Sequence, residues 1–580
     1  MTRYSKTSRI FGGLLCSLLL FSKTFATETI VIGGETTGLS WEDAAESAPV
    51  IDFDSRPGWI QPNNVSEDVN IALRTLERGG QITSPNAQAV LRLSSDVLRQ
   101  RLESIIDGNP STAFEAKNVA ATGILLVIDL GARFGVDLIR FFPRETYQTD
   151  FMKGYVLSTN DGVFGADIIE SSADKLPDQT LLTVMAQDGS NNRDTIDVRF
   201  PLQYVRYIRL ESTQRFNWEI DEIEIFGRGF VPESSYLSQV FDMGQESLWG
   251  QLTWDTEQIG ANSNSRLTIR TRSGNSSSPN EDPSKWSDWS TPYESSGDPI
   301  MSPAPHRYFQ FSISFESDGL EDAIAIDSLA FEFFRPALAK SIVGEIWPQE
   351  VAVGVDTSFE YTIRVSEAEG FNRIQIDTPA PVSTVRKVRL NGEEISFTKE
   401  PSEKNVIVSF AHQTGSHDLQ LIFDTAVLRY ETVFAGRLFD TTRDGALSQA
   451  ISGGDVTSSF AGNDLSVRVP IEGQSLVYSI SVNPAVFTPN GDGVNDKTTI
   501  SYDLLYLTGY TPLTLRIYNL AGNELAALKT KDIQSGRHSY NWDGRNTWGE
   551  LLPPGIYILQ VEVDTDSGTE TRSATVAIAY

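Results

Sequence analysis

Residues 266–272 read Arg-Leu-Thr-Ile-Arg-Thr-Arg, and this short stretch decides the fold class. Leu267, Ile269 and Thr271 alternate with Arg266, Thr268, Arg270 and Arg272, so a strand buries one row and turns its arginines to water. Similar runs recur on both sides: 124–130, 138–142, 154–158, 204–210 and 222–226 before it, and 308–315, 328–334, 406–410, 419–423, 513–519 and 555–563 after it. Turn signals such as Asn160-Asp161-Gly162 and Gln187-Asp188-Gly189 separate them, because Asp-Gly supplies the positive φ of a tight turn. With 44 Gly and 26 Pro interrupting 580 residues, the chain reads as mostly β, a series of tandem β-sandwiches.

The boundaries predicted from these patterns are a signal peptide over 1–26, an acidic and partly ordered lead-in over 27–83, and sandwiches over 84–229, 230–336, 337–475 and 476–580. One helix is predicted, over Asn86 to Ile105, where Leu91, Leu98, Leu102 and Ile105 share a side. The polar loop 273–282 is expected to be a mobile edge, and the topology of 337–475 is not readable.

Arg3, Lys6 and Arg9 precede the apolar run 10–21, with Thr24 and Ala26 at cleavage-site spacing, so secretion is expected. Cys16, the sole cysteine, lies within this segment. A mature chain starting after it would contain no disulfide or thiolate site. No later run reaches the ~20 apolar residues of a spanning helix. Lys plus Arg is 47 and Asp plus Glu is 77, and 47 − 77 = −30 argues against binding nucleic-acid phosphates or anionic lipid.

His306, His412, His417 and His538 stand in separate strand–turn contexts and no Gly-x-Ser-x-Gly elbow accompanies them, so a non-catalytic protein is expected. Two loops are rich in oxygen. In 106–112, Ile-Asp-Gly-Asn-Pro-Ser-Thr, Asp and Asn oxygens, a Thr hydroxyl and backbone carbonyls offer the donors that Ca²⁺ accepts; by composition alone, an Asx-turn capping the helix is the commoner outcome. The second, Asn490 to Asp496, resembles half an EF-hand without its bidentate Glu, and a hydrogen-bonded hairpin turn serves equally well.

Aromatic candidates also appear. Trp286 and Trp289 are spaced to stack with Arg266, Arg270 and Arg272 in a cation–π ladder, a structural feature. Tyr147, Arg215 and Trp218 fall at one end of the 84–229 sandwich, where an aromatic and an arginine can stack on a sugar and hydrogen-bond its hydroxyls; packing is the commoner role for Trp218.

Four ordered blocks, Ile106 to Phe114, Val127 to Gly131, Tyr204 to Leu210 and Glu222 to Gly227, resemble the discoidin, or coagulation-factor C-type, galactose-binding-like family. The resemblance implies a jelly roll that binds glycan, or at times lipid or protein, through loops at one end. It implies a structural Ca²⁺ held by Asp107, Asn109, Thr112 and Glu222, with Asn109 standing where an acid is commoner. The family's ligand-binding loops vary, so Tyr147, Arg215 and Trp218 stand as the ligand-binding candidates on residue type and place in the chain. Phe487 to Asp496, Leu515 to Gly522, Trp542 to Arg545 and Leu552 to Tyr557 are similar to the Ig-like domain of the flagellar hook-capping (FlgD) family and to gliding-motility C-terminal domains. That resemblance implies a sorting, anchoring or assembly module that engages the cell envelope or secretion machinery. The two middle units resemble fibronectin- or Ig-like sandwiches.

The resulting expectation is a secreted, non-catalytic bacterial surface protein that binds a glycan or a surface protein, with periplasm or outer membrane as the alternative location. A structural component recognising a protein partner is the second reading, and a carbohydrate-active hydrolase with appended binding modules the third.

Overall fold

The computed structural model describes residues 27–34, 38–117, 123–162, 182–261, 265–470, 475–507, 509–565 and 568–579. The predicted signal peptide lies outside the described residues. Two compact units emerge, Glu28–Pro336 and Ala337–Tyr580. Both are built of β-sandwiches, as the alternating pattern requires.

In the first unit one sandwich is inserted into another. The host is built from strands on both sides of the insertion: Glu28–Gly33 runs antiparallel to Ala323–Phe334, pairing Glu28 with Phe333, and Ala45–Ser47 lies along Glu233–Ser238. The long Phe241–Ile259 strand joins the two sheets, pairing with His306–Ser317 through its first residues and with Ala323–Phe334 through the rest. Ile32, Trp41, Ile51 and Ile60 share a core with Tyr236, Phe309, Phe311, Leu329 and Phe331. The partly ordered lead-in is therefore corrected: residues 28–62 complete the host sandwich. Their apolar residues are too sparse for periodicity to reveal, and their burial depends on distant strands, as that of Trp41 does on Tyr236 and Asp327.

The insertion enters and leaves through a neck in which Asn64–Val65 pairs with Gly229–Phe230. Gly229 has φ +101°, and a Cβ there would stand 2.5 Å from the Leu320 carbonyl oxygen, so no other residue fits the neck without displacement. The inserted unit begins before residue 84. Ile71 and Ala72 lie in its core, and the Asn70 side chain accepts from Ile225 N at 3.0 Å. Its principal sheet combines Gln81–Thr83, Leu125–Phe142, Tyr155–Asn160, Thr183–Asp188, Ile196–Ser212 and Glu222–Gly227; Phe114–Ala116 pairs with Trp218–Ile220 in a separate ribbon.

The predicted single helix is two. Ala87–Leu91 ends at Arg92, whose φ of 55° is left-handed, and Ser94 caps Ser95–Glu103 by accepting from Val97 N at 3.4 Å. Leu98 and Leu102 still face the core, so the stripe was read correctly while the break between the serine cap and the first turn was not. The loop 273–282 is pinned at its centre, where Trp286 Nε1 donates to Ser276 O at 2.9 Å.

In the second unit, two 22-residue strands, Asp356–Asp377 and Asn405–Ala426, form the spine of the third sandwich. The C-terminal domain packs a sheet of Val477–Asn483, Thr498–Leu504 and Gly536–Trp542 against one containing Thr511–Tyr518, Glu524–Ile533, Gly555–Thr565 and Gly568–Ile578. Trp542, Leu515, Ile517, Leu559 and Val561 fill the space between. Among the described residues no helix is long and apolar enough to cross a membrane.

Candidate functional site

At one end of the inserted sandwich the strand Leu125–Phe142 finishes beside the start of Glu222–Gly227, with Phe142 paired to Glu222. This register gathers three connections: 107–113, 143–154 and 213–221.

The first forms the predicted oxygen loop. Asp107 Oδ1 accepts from Asn109 N at 2.8 Å, an Asx-turn, and the Thr112 hydroxyl lies 3.1 and 3.0 Å from the two Asp107 oxygens and 2.9 Å from Asn109 O. Glu222 reaches the loop from across the sequence, its Oε2 accepting from Gly108 N at 3.0 Å. Asp107, Asn109, Thr112 and Glu222 are thus brought together. The Asn109 side chain is turned to Ser111 N, 3.2 Å away, so its backbone carbonyl is the oxygen nearer the others.

Glu222 is 6% exposed, and its Oε1 has no hydrogen-bond partner among the described residues; the neighbouring Asp221 Oδ1 is in the same condition. Burial pushes the Glu222 carboxyl up to about 7, with Asp107 and Asp221 adding repulsion. It pushes Asp221 up to about 6, with Glu219 and Asp107 adding to the effect against Arg144. Orphaned, desolvated carboxylate oxygens beside a hydroxyl and a carbonyl are the donor set a hard cation takes. Among the described residues no three His, Cys, Asp or Glu side chains close on one point, so a cation here relies on Asp107 and Glu222 supplemented by neutral oxygens.

The second connection carries Tyr147, which is 44% exposed. Lys117 Nζ sits 4.1 Å from its ring centroid and the Arg144 guanidinium 4.7 Å. Both cations are anchored from below by Glu219, whose side chain is fully buried: Arg144 Nη2 donates to it at 2.7 Å and Lys117 Nζ at 2.9 Å. Glu115 joins through Arg144, and Asp150 lies 3.4 Å from Lys117. Burial drives the Glu219 carboxyl upward, yet hydrogen bonds from Arg144 and Lys117 outweigh it and hold the group below the usual range. Burial likewise acts downward on Lys117, and Glu219 overrides it to raise the ammonium. Glu219, Lys117 and Arg144 therefore stay ionised at neutral pH, and the two cations stand over the half-exposed tyrosine ring.

The third connection corrects a prediction. Trp218 is 1% exposed; it pairs with Ala116 across the ribbon, and its ring stacks on Phe114 at 5.6 Å. It is core and cannot meet a ligand. Phe216, which the sequence reading passed over, is 54% exposed on the same connection. Arg215 is also exposed, and no hydrogen bond ties it to Tyr147 or Trp218. Lys117, Arg144 and Glu219 were missed as well, since Glu219 sits 75 residues from Arg144 and 102 from Lys117, and only strand pairing brings them together.

The other motifs resolve as structure. In 490–496, Asp496 accepts from Gly491 N and Gly493 N, both at 2.7 Å, and Asp492 Oδ1 from Val494 N at 2.8 Å, which makes a self-capped turn. Of the three arginines in the expected ladder, Arg272 alone stands over the indoles, 5.3 Å from Trp286 and 4.4 Å from Trp289. Ser273 Oγ lies 2.8 Å from His306 Nδ1, but it also lies 2.7 Å from Pro303 O, which can only accept. The serine proton is committed there, His306 donates to the serine, and Ser273 is fully buried, the reverse of an activated nucleophile.

Comparison with known proteins adds one family match. The model of the FlgD Ig-like domain matches residues 494–567. No curated protein matches the chain. Among solved structures, similarity is found to chitosan-binding module 2 of a chitosanase/glucanase from Paenibacillus sp. IK-5, in complex with chitotriose: 13% identity, 27% of this chain, 100% of that chain, TM-score 0.20. A Clostridium perfringens module in complex with GalNAc-β-1,3-galactose matches at 14% identity over 26% of this chain and 95% of its own, TM-score 0.19. The family 32 carbohydrate-binding module of C. perfringens NanJ, in complex with galactose, matches at 19% identity over 25% of this chain and 91% of its own, TM-score 0.18. The chain is thus a multidomain β-sandwich protein with a C-terminal domain of the FlgD Ig-like type.

Proposed function

We propose that the protein is a secreted, non-catalytic bacterial surface protein that binds glycan through the loop end of its inserted sandwich. The observation carrying this reading is Tyr147, held exposed over the Lys117–Arg144–Glu219 network with Phe216 exposed on the adjoining region. An exposed aromatic ring can stack on the apolar side of a pyranose, with the fixed ammonium and guanidinium beside it as donors to the sugar hydroxyls. A structural Ca²⁺ held by Asp107, Glu222, the Thr112 hydroxyl and the Asn109 carbonyl would stiffen the connection beside this platform. Screening the full mature chain on a glycan array tests the reading. At least one glycan is expected to bind, with affinity falling about tenfold in Tyr147→Ala while the melting curve is unchanged. A blank array with a single protein recovered by pull-down would transfer the site to the protein-partner reading, and turnover of a polysaccharide would make it a hydrolase.

The C-terminal domain acts, on this reading, as the anchoring or assembly module at the cell surface, with the periplasm or outer membrane as the alternative setting. Its support is an apolar tip: Val494, Leu520 and Trp548 are exposed on connections at one end of the domain, and Ile556 is exposed at the start of the strand Gly555–Thr565. Replacing Trp548 and Leu520 with serine is expected to release the protein from the cell surface into the medium without altering its melting temperature.

A further inference from the structure

The third sandwich and the C-terminal domain pack against one another. Leu505 and Tyr506 extend from the C-terminal domain into the core of the third sandwich, and Tyr506 stacks on Tyr430 at 4.5 Å. Arg537 pairs with Asp356 at 3.0 Å and donates to Gly354 O at 3.2 Å, while Arg429 reaches Gln534 at 3.3 Å. Between these ties lies a cleft of about 1270 Å³.

The floor of the cleft is the outer face of the three-stranded sheet. Register places Ser481, Ser501 and Ser539 in one row across it, and Ser479, Asp503 and Arg537 in the next. Strands about 4.8 Å apart and alternate residues about 6.8 Å apart set four serine hydroxyls on this face in two rows, with the Asp503–Arg537 ion pair completing the second row. Short side chains let a ligand lie close to the sheet and lose little rotamer freedom on binding. Tyr510, 74% exposed, stands at the border. Acidic side chains outnumber lysine and arginine five to three in the lining, which disfavours a polyanion.

We propose that this cleft binds an extended neutral oligosaccharide, as a second carbohydrate site independent of the inserted sandwich. Serine hydroxyls that both donate and accept, spread over a flat sheet face with an exposed tyrosine at its border, match a chain of sugar rings.

The test uses the full mature chain carrying Tyr147→Ala and Phe216→Ala, so that the first site does not contribute. Calorimetry with neutral hexasaccharides (cello-, chito-, manno- and galacto-oligomers), an oligogalacturonate and a decapeptide library provides the readout. At least one neutral hexasaccharide is expected to bind, and affinity to fall at least about tenfold in Ser501→Trp, which fills the floor, and in Tyr510→Ala. Absence of neutral binding, or binding indifferent to both substitutions, overturns the proposal. So does binding sensitive to Ser501→Trp only for the peptide or the oligogalacturonate. Should Ser501→Trp shift the melting curve, Tyr510→Ala, at an exposed side chain, decides. Loss of all binding in the Tyr147/Phe216 background alone defeats this site and leaves the first intact.

Discussion

Two loops of this chain offer almost the same chemistry and satisfy their carboxylates in opposite ways. In 490–496 the acid oxygens turn inward onto backbone N–H groups of their own loop, so their hydrogen-bonding capacity is met within seven residues. In 107–112 the loop is completed by Glu222, more than a hundred residues on, which arrives desolvated and with one oxygen orphaned. A carboxylate satisfied locally caps a turn. One that is buried, repelled by Asp107 and Asp221 and only half satisfied has reason to take a cation or a proton.

The contrast can be broken most directly with Ca²⁺. At a hundredfold excess over Kd the transition of the first unit is expected to gain about 2.7 kcal/mol, with Asp107→Ala abolishing the gain and Asp496→Ala leaving it intact. Calorimetric melts with and without chelator measure this, and an unmoved transition would reduce 107–112 to a turn like the other.

Without metal, pH sharpens the same difference. Glu222 titrates near 4.5 when unfolded and at about 7 when folded, so between those values the native state binds the additional proton. Stability of the first unit should therefore fall as pH rises from about 4.5 to about 7 and level off above. Glu222→Gln is expected to flatten that slope and raise the metal-free melting temperature at pH 7.5; a slope unchanged by the substitution would argue that the side chain is solvated. The smallest effect belongs to the self-capped turn. Asp496→Ala removes two backbone partners and should cost the C-terminal domain about 1–2 kcal/mol, equally with and without Ca²⁺.

Legibility followed the range of the interaction. The alternation in 266–272 is visible because a strand writes its two faces into adjacent residues, and Ile269 and Thr271 are buried while Arg266 and Arg270 are exposed, as that pattern requires. Tyr147 was legible as an aromatic in a connection. Trp218 was not, since the inward direction of its ring depends on pairing with Ala116 and stacking on Phe114. The helix over 86–105 was seen as a stripe, but the left-handed Arg92 that divides it leaves periodicity nearly unchanged. The lead-in failed for a similar reason: Glu28–Gly33 finds its partner strand only after the whole insertion has been made.

By itself, then, the sequence determined the β class, the net charge of −30, the oxygen-rich loops and the FlgD-like terminal signature; all but the charge are carried by residues near one another in the chain. Tertiary structure alone decided that one sandwich is inserted into another, which aromatic faces water, which carboxylate remains unsatisfied, and that two domains close on a hydroxyl-floored cleft. Each of these depends on strands pairing across long separations, and the free energy of such a pairing belongs to both segments at once, so neither segment read alone contains it.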